Sequence, residues 1–171
     1  ARHPVHQRRW EDETMYFAMT DRFANGDKTN DQGCDVKNSQ RFHGGDWQGV
    51  INKLDDLKSL GATALWISPV QQNDRDFLGM DGYHGYWPND FYKTEPAFGD
   101  MDKLKELVDK SHEKGMRVII HLVLTHTGYN HPWPPEAAQP DRFHDPKPSF
   151  RQAMEKGSQF GLPTPAPGAR H

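Results

Sequence analysis

The sequence predicts an α/β fold over residues 1–128, with parallel strands that alternate with helices. Three apolar runs lack polar alternation, which is typical of strands buried on both faces of a parallel sheet. Between them lie two segments with the apolar period of an amphipathic helix. The resulting order β-α-β-α-β, with right-handed crossovers, predicts the start of either a closed barrel or an open doubly wound sheet. A complete eight-stranded βα barrel takes about 250 residues, more than the 171 present.

The first βα unit is predicted from residues 14–19 and 47–60. The former is a short apolar run that indicates a buried strand. The latter carries apolar residues at helical spacing, namely Val50, Ile51, Leu54, Leu57 and Leu60. Asp46 stands where an N-cap is expected and Gly61 where a helix ends on a left-handed residue.

The second unit begins with the apolar run at residues 62–67, which ends at Ser68-Pro69. A long loop is predicted from Gln71 to Phe98, because this stretch is rich in Asp, Asn, Gly and aromatic residues. The next helix places Met101, Leu104, Leu107 and Val108 on one face and ends at Lys114-Gly115. The run 117–124 predicts the third strand.

The composition separates residues 129–171 from the rest, since nine of the thirteen prolines lie there. This segment is predicted to be irregular.

No window approaches the ~18 apolar residues of a membrane span, so no membrane partner is expected. A net charge of −3 predicts no nucleic-acid partner. Cys34 is the single cysteine, which excludes an internal disulfide.

Ligands bind beyond the carboxyl ends of the strands in both candidate architectures. This rule directs attention to residues 20–30, 68–98 and 125–131. None of them contains a glycine-rich phosphate loop. The second loop concentrates rings, namely Tyr83, His84, Tyr86, Trp87, Phe91 and Tyr92. Aromatic faces with polar edges suit pyranose rings, but the same residues could equally fill a core beneath the loop.

Five segments resemble the α-amylase family of glycoside hydrolases. They are Tyr16–Asp27, Phe42–Gly49, Leu65–Pro69, Gly82–Tyr92 and Arg117–Gly128. The resemblance runs in order from residue 14 to about residue 133. It implies a partial (β/α)8 TIM-type barrel of about three βα units, with 129–171 as an irregular tail and a possible remnant of the domain inserted after the third strand. It also implies an α-1,4-glucan substrate, such as starch or maltooligosaccharides, and a secreted or periplasmic location, whose export signal is absent from residues 1–9.

The resemblance assigns substrate-binding roles in the second and third loops. Tyr86 would stack against the sugar at the cleavage subsite. His84 and His126 would hydrogen-bond its hydroxyl groups, with Trp87 beside them. The alternative interpretation is that Tyr86 is a packed loop residue and His126 a satisfied histidine at a strand end.

A calcium site is also implied, because one short loop resembles the calcium loop of cyclodextrin glucanotransferases. Asn25, Asp27, Asn30 and Asp31 offer hard oxygen donors within seven residues, and Gly44 and Asp46 would complete the shell. The alternatives are an ordinary Asn/Asp/Gly turn and, at Asp46, a helix cap.

A zinc site from His121, His126 and His131 is disfavoured, since five-residue spacing places the first two on opposite faces of a strand.

Two positions depart from the family pattern: His121 stands where the family has Asp, and Thr125 where it has Asn. The family's three catalytic carboxylates follow its fourth, fifth and seventh strands, so the catalytic residues of this chain are unknown. Turnover by these residues would need unfamiliar carboxylates, for instance Asp21, Asp81 or Asp90. The alternative is a catalytically inactive carbohydrate-binding fragment or a truncation product of an α-amylase. Open barrel edges predict self-association.

Overall fold

A three-stranded parallel sheet forms the centre of the fold in the computed structural model, which describes residues 8–130. Strand β2 (Ala64–Ile67) lies between β1 (Met15–Ala18) and β5 (Arg117–Ile120). The parallel pairing confirms the predicted α/β fold. Strand β5 is shorter than predicted, because pairing stops at Ile120 and Leu124 is 77% exposed.

The helices cover one face of this sheet. The segment predicted as a single helix is two helices, α2 (Trp47–Asn52) and α3 (Leu54–Ser59), separated by Lys53 with φ −105° and ψ 4°. Its predicted ends are confirmed, since the Asp46 carboxylate caps α2 and Gly61 has φ +87°. The helix α4 spans Met101–Glu113, with the Asp100 side chain accepting a hydrogen bond from the Lys103 amide.

The core lies between the helices and one side of the sheet. It combines strand residues with helix and loop residues, among them Ala18, Leu65, Ile67, Trp47, Leu54, Leu107, Phe42 and Phe98. On the opposite side, Met15 is 48% and Phe17 40% exposed. The expectation that strand β1 is buried on both faces is therefore wrong for residues 8–130. The exposed face of β1 is nevertheless apolar, as expected for a strand of a parallel barrel, where both faces of each strand are buried.

The long predicted loop contains a second, two-stranded sheet. Strands β3 (Gln71–Asn73) and β4 (Pro88–Thr94) pair antiparallel with two register shifts. Both strands are largely polar, so neither has the apolar alternation that would have predicted it. The hairpin carries the segment from Gly82 to Trp87 between its strands.

Smaller elements complete the fold. The helix α1 (Thr20–Phe23) follows β1 directly, and 3₁₀ turns span Trp10–Asp12 and Lys28–Asn30. No helix within residues 8–130 is long and apolar enough to cross a membrane. Apart from Tyr129 and Asn130, the predicted irregular tail 129–171 lies outside the described residues.

Candidate functional site

Both ends of the loop from Gly82 to Trp87 lie close to Asn73, which bonds one of them through its buried side chain. Asn73, at the end of β3, accepts a hydrogen bond from the Trp87 amide on Oδ1 at 2.7 Å. At the other end, a Cβ on Gly82 would stand only 2.9 Å from the Asn73 Cβ. The amide of Asn73 itself donates to Glu95 Oε2 at 2.9 Å, and the fully buried Glu95 also binds Arg75. This network fixes the place from which the loop presents its rings.

His84 lies at the centre of the ring cluster. Its Nδ1 accepts the Tyr86 backbone N–H at 3.0 Å, so the imidazole proton resides on Nε2. Burial first, and then the positive charge of Arg22, lower the pKa of His84 from its usual value of 6.5. The neutral ring therefore offers one N–H donor to a hydroxyl group.

Tyr86 stacks on His84, with ring centroids 5.7 Å apart and planes 21° apart. Tyr86 as a whole is 37% exposed, so part of its surface is accessible to a ligand. The backbone carbonyl of Tyr86 accepts a hydrogen bond from His126 Nε2 at 2.7 Å. His126 thus spans from the end of the third strand to the loop, and its Nε2–H is engaged by the protein.

Trp87 closes the other side of the cluster. Its ring meets His84 edge to face at 4.8 Å and also contacts Phe77 and Tyr129 at 6.0 Å and 5.7 Å. All four residues predicted to bind substrate, Tyr86, His84, Trp87 and His126, therefore come together at the carboxyl ends of the strands.

His121 joins this cluster although no role was predicted for it. Its ring lies 5.3 Å from Tyr86 and 5.7 Å from Trp66, and its buried Nδ1 has no hydrogen-bond partner. The histidine trio considered for zinc includes His131, which lies outside the described residues. Within residues 8–130, no three His, Cys, Asp or Glu side chains converge on a possible metal position.

Asp21, the first of the unfamiliar carboxylates considered for catalysis, serves the scaffold. It accepts the backbone N–H of His43 at 2.9 Å and that of Gly44 at 3.3 Å, and it pairs with Arg22 at 2.9 Å. Burial raises the pKa of Asp21, although these partners oppose the effect. The same Arg22 guanidinium lies 3.8 Å from the Tyr83 ring, so it connects the first strand to the ring-bearing loop.

The other two carboxylates are engaged as well. Asp81 accepts from the Phe42 amide at 3.2 Å and pairs with Arg41 at 3.1 Å. Asp90 accepts the Tyr92 amide at 2.9 Å, which lowers the pKa of Asp90 together with its contact to Lys93. Asp81 and Asp90 thus each hold neighbouring parts of the scaffold together through these contacts.

The loop predicted to bind calcium brings part of its donor set together. Both oxygens of Asp31 lie 2.8 Å from Asn25 Nδ2. Gly44 has φ +86°, and a Cβ there would stand 2.5 Å from Asp31 Oδ1. The buried Asn30 Oδ1 has no partner. An unpaired amide oxygen beside a carboxylate and a glycine cradle fits a hard cation.

The remaining two predicted ligands have other partners. Asp46 accepts the amides of Gly26, Asp27 and Gly49, the last at 2.5 Å. This arrangement confirms the helix-cap interpretation of Asp46. The carboxylate of Asp27 accepts from the Thr29 amide at 2.9 Å and hydroxyl at 2.6 Å, bonds that lower the pKa of Asp27.

The chain is similar to known proteins over most of its length. A family model described as the alpha amylase catalytic domain matches residues 17–159. The Beta/alpha-amylase of Paenibacillus polymyxa is 47% identical over 123 residues, covering 70% of this chain and 10% of that protein. The periplasmic alpha-amylase of Escherichia coli is 38% identical over 133 residues, covering 70% of this chain and 20% of that protein.

A solved structure agrees with the sequence relatives. The crystal structure of an Anoxybacillus alpha-amylase superposes with a TM-score of 0.76 at 47% identity, covering 88% of this chain and 32% of that chain. The chain spans a tenth to a fifth of the length of the two curated relatives.

Proposed function

The chain belongs to the α-amylase family, and on that premise we propose that it forms the glucan-binding part of a glycoside hydrolase catalytic domain acting on α-1,4-glucans such as starch and maltooligosaccharides. The observation that carries the proposal is the cluster of Tyr86, His84, Trp87 and His126 at the carboxyl ends of parallel strands. This is where parallel βα folds bind their ligands.

Tyr86 supplies the platform for the sugar ring. Its exposed face offers the apolar surface that the C–H groups of a pyranose contact. His126 holds the Tyr86 carbonyl, and His84 stacks on the ring, so both histidines orient this platform. The Nε2–H of His84 is the donor available to a sugar hydroxyl group.

The described residues contribute binding rather than the bond-breaking groups. Retaining glycosidases use two carboxyl groups about 5–5.5 Å apart, one as nucleophile and one as acid and base. Asp21, Asp81 and Asp90 are each engaged by backbone amides and cations. The proposal therefore assigns neither catalytic role to a residue within 8–130.

Calcium would be held by the loop that contains Asn30 and Asp31, beneath Gly44. The support is the unpaired Asn30 Oδ1 and the cradle at Gly44. Asn25 would join them by turning its amide oxygen inward, whereas Asp27 and Asp46 have oxygens that accept protein donors. The cation would tie this loop to the start of α2 and so keep the first strand in place.

Binding and turnover are measured separately on the purified chain. Isothermal titration with maltoheptaose tests binding, with Tyr86→Ala as the variant expected to lose at least tenfold in affinity. Tyr92→Ala is the matched control, since Tyr92 is 83% exposed on β4. Equal affinity for all three proteins, or no binding at all, contradicts the assigned platform.

Reducing-sugar release from soluble starch tests the catalytic assignment. Binding without release is the result expected of residues 8–130, and it corresponds to a second candidate function, a carbohydrate-binding fragment without turnover. The full engagement of the three carboxylates favours that candidate. Release that Asp21→Asn abolishes would refute the assignment, because it would place a catalytic carboxylate on α1, directly after the first strand.

An extracytoplasmic location is proposed as well. Its support is the relative from Escherichia coli, which is named as a periplasmic enzyme. Detection of the protein in the culture medium or the periplasmic fraction of its host tests this location.

A further inference from the structure

Within residues 8–130, one buried carboxylate at the base of the β3–β4 hairpin, apart from the 25–31 loop, forms no ion pair. Asp74 follows β3 and is 0% exposed. Its Oδ2 accepts the backbone N–H groups of Tyr129 and Asn130, the latter at 3.0 Å. Its Oδ1 has no hydrogen-bond partner. The adjacent cation, Arg75, pairs with Glu95, and Arg41 pairs with the nearby carboxylates of Asp76 and Asp81.

A second oxygen without a partner belongs to the opposite strand of the hairpin. The buried Oδ1 of Asn89 has no hydrogen-bond partner, while its Nδ2 donates to the Asn73 carbonyl at 3.3 Å. That carbonyl belongs to the peptide that precedes Asp74. The amide of Asp74 in turn donates to the Trp87 carbonyl at 3.0 Å. Asp74 and Asn89 therefore flank the same short stretch of the hairpin.

A polar cavity borders Asn89 and the two residues that flank Asp74 in sequence. This cavity of about 290 Å³ is lined by Gln72, Asn73, Arg75, Asn89, Glu95, Pro96 and Asn130. The Asp74 Oδ2 and the Trp87 carbonyl oxygen also lie close together, within 2.7 Å of the point where a Cβ on Gly128 would stand. Only glycine fits there, so the 128–130 segment approaches both oxygens closely.

The unpaired oxygens of Asp74 and Asn89 are electrostatically unfavourable without a partner. An ionised carboxylate removed from water costs several kcal/mol unless it is paired, and an unpaired buried amide oxygen adds a smaller cost. Both groups are hard oxygen donors, which Ca²⁺ prefers, and Ca²⁺ also accepts backbone carbonyls and waters in irregular geometry. We infer that Asp74 and Asn89 are ligands of a divalent cation of the calcium class, with water completing its shell. This cation would fasten the 128–130 segment to the hairpin that carries the candidate site.

Terbium luminescence tests the inference directly. The chain is stripped with chelator, titrated with Tb³⁺ and excited through its aromatic residues; the Trp87 and Tyr129 rings beside Asp74 lie 5.7 Å apart. We expect Asp74→Asn to lose one equivalent of bound Tb³⁺ relative to the unchanged chain, and Asn89→Leu to weaken that equivalent at least tenfold. Asp31→Asn reports on the other loop, so the two sites are scored independently. An unchanged number of equivalents in Asp74→Asn overturns the inference.

Thermal unfolding gives a second readout that does not depend on luminescence. Since an asparagine amide oxygen would keep the accepted hydrogen bonds without the charge, Asp74→Asn should raise the melting temperature of the stripped chain and lose the increment that calcium adds through this site. Asp76→Asn is the control, because its carboxylate is 71% exposed and already paired with Arg41. It should retain the full calcium increment. A stripped Asp74→Asn chain that melts lower than the unchanged chain, with an undiminished calcium increment, refutes the inference.

Discussion

Replacing Asp46 by alanine tests whether its carboxylate only caps α2 or also holds residues 26–27 against the start of that helix. A helix cap alone costs about 1 kcal/mol when it is removed. Asp46 does more, because its buried carboxylate also accepts the amides of Gly26 at 3.1 Å and Asp27 at 2.8 Å. Each buried donor left without a partner costs about 1–3 kcal/mol. The Gly26 and Asp27 amides are only partly buried, so the lower end of this range applies to each of them. Together with the cap at about 1 kcal/mol, we expect Asp46→Ala to lower the free energy of unfolding by about 3 kcal/mol.

The matched control for this change is Asp100→Ala. Asp100 caps α4 through a single hydrogen bond to the exposed Lys103 amide at 2.8 Å, so its removal should cost about 1 kcal/mol. Urea unfolding followed by circular dichroism gives both values, provided that the denaturant slope is the same for all three proteins. If Asp46→Ala costs no more than Asp100→Ala, the bonds to Gly26 and Asp27 contribute nothing and Asp46 only caps the helix.

Four further predictions concern the site and the assembly. Tyr86→Ala should lose at least tenfold in maltoheptaose affinity by calorimetry, and a loss shared by Tyr92→Ala would point to unfolding instead. Because the folded pKa of His84 lies below its usual 6.5, its contribution to stability should be complete above pH 6.5 and decline as the pH falls through the lowered value. His84→Gln should flatten the stability difference between pH 7 and pH 5; parallel curves would contradict the burial argument. Chelator should lower the melting temperature of the chain by several degrees, and Asp31→Asn should remove part of that response; an unchanged melting temperature would argue against calcium. Light scattering should find a mass above 19.6 kDa, because β1 and β5 are sheet edges with exposed apolar residues; a monomer at every concentration would contradict self-association.

The sequence predicted the central sheet because its strands carry a strong local signal. Three apolar runs, separated by helical periodicity, suffice to predict parallel pairing of β1, β2 and β5. The β3–β4 hairpin escaped prediction because Gln71, Gln72 and Asn73 form a strand with no apolar face. What holds that strand is long-range contact, chiefly the Glu95 carboxylate, and such contacts leave no period in the sequence. The break at Lys53 is likewise a tertiary effect, since the apolar pattern runs through it without interruption.

The residues of the candidate site were likewise predicted only in part. Its ring-bearing residues stand close together in a recognisable motif, so Tyr86 and His84 could be identified. The residues that aim them, Asn73 and Arg22, are distant in sequence and act through one or two contacts each. His121 could be singled out as a departure from the family pattern, but its ring contact with Tyr86 depends on how the third strand meets the loop.

The hydrogen bonds from Trp87 to Asn73 and from Gly82 to Asp74 hold the two ends of the ring-bearing loop, which makes the loop a unit for protein engineering. Its two ends are fixed by the hairpin, so His84 and Tyr86 can be exchanged as a pair, whereas Tyr83 is kept because it packs against the core and the Arg22 guanidinium. Gly85 must be retained, since its φ is +88° and a Cβ would come within 2.8 Å of Pro69. A library restricted to positions 84 and 86 would therefore sample ligand preference while the ends of the loop stay constant.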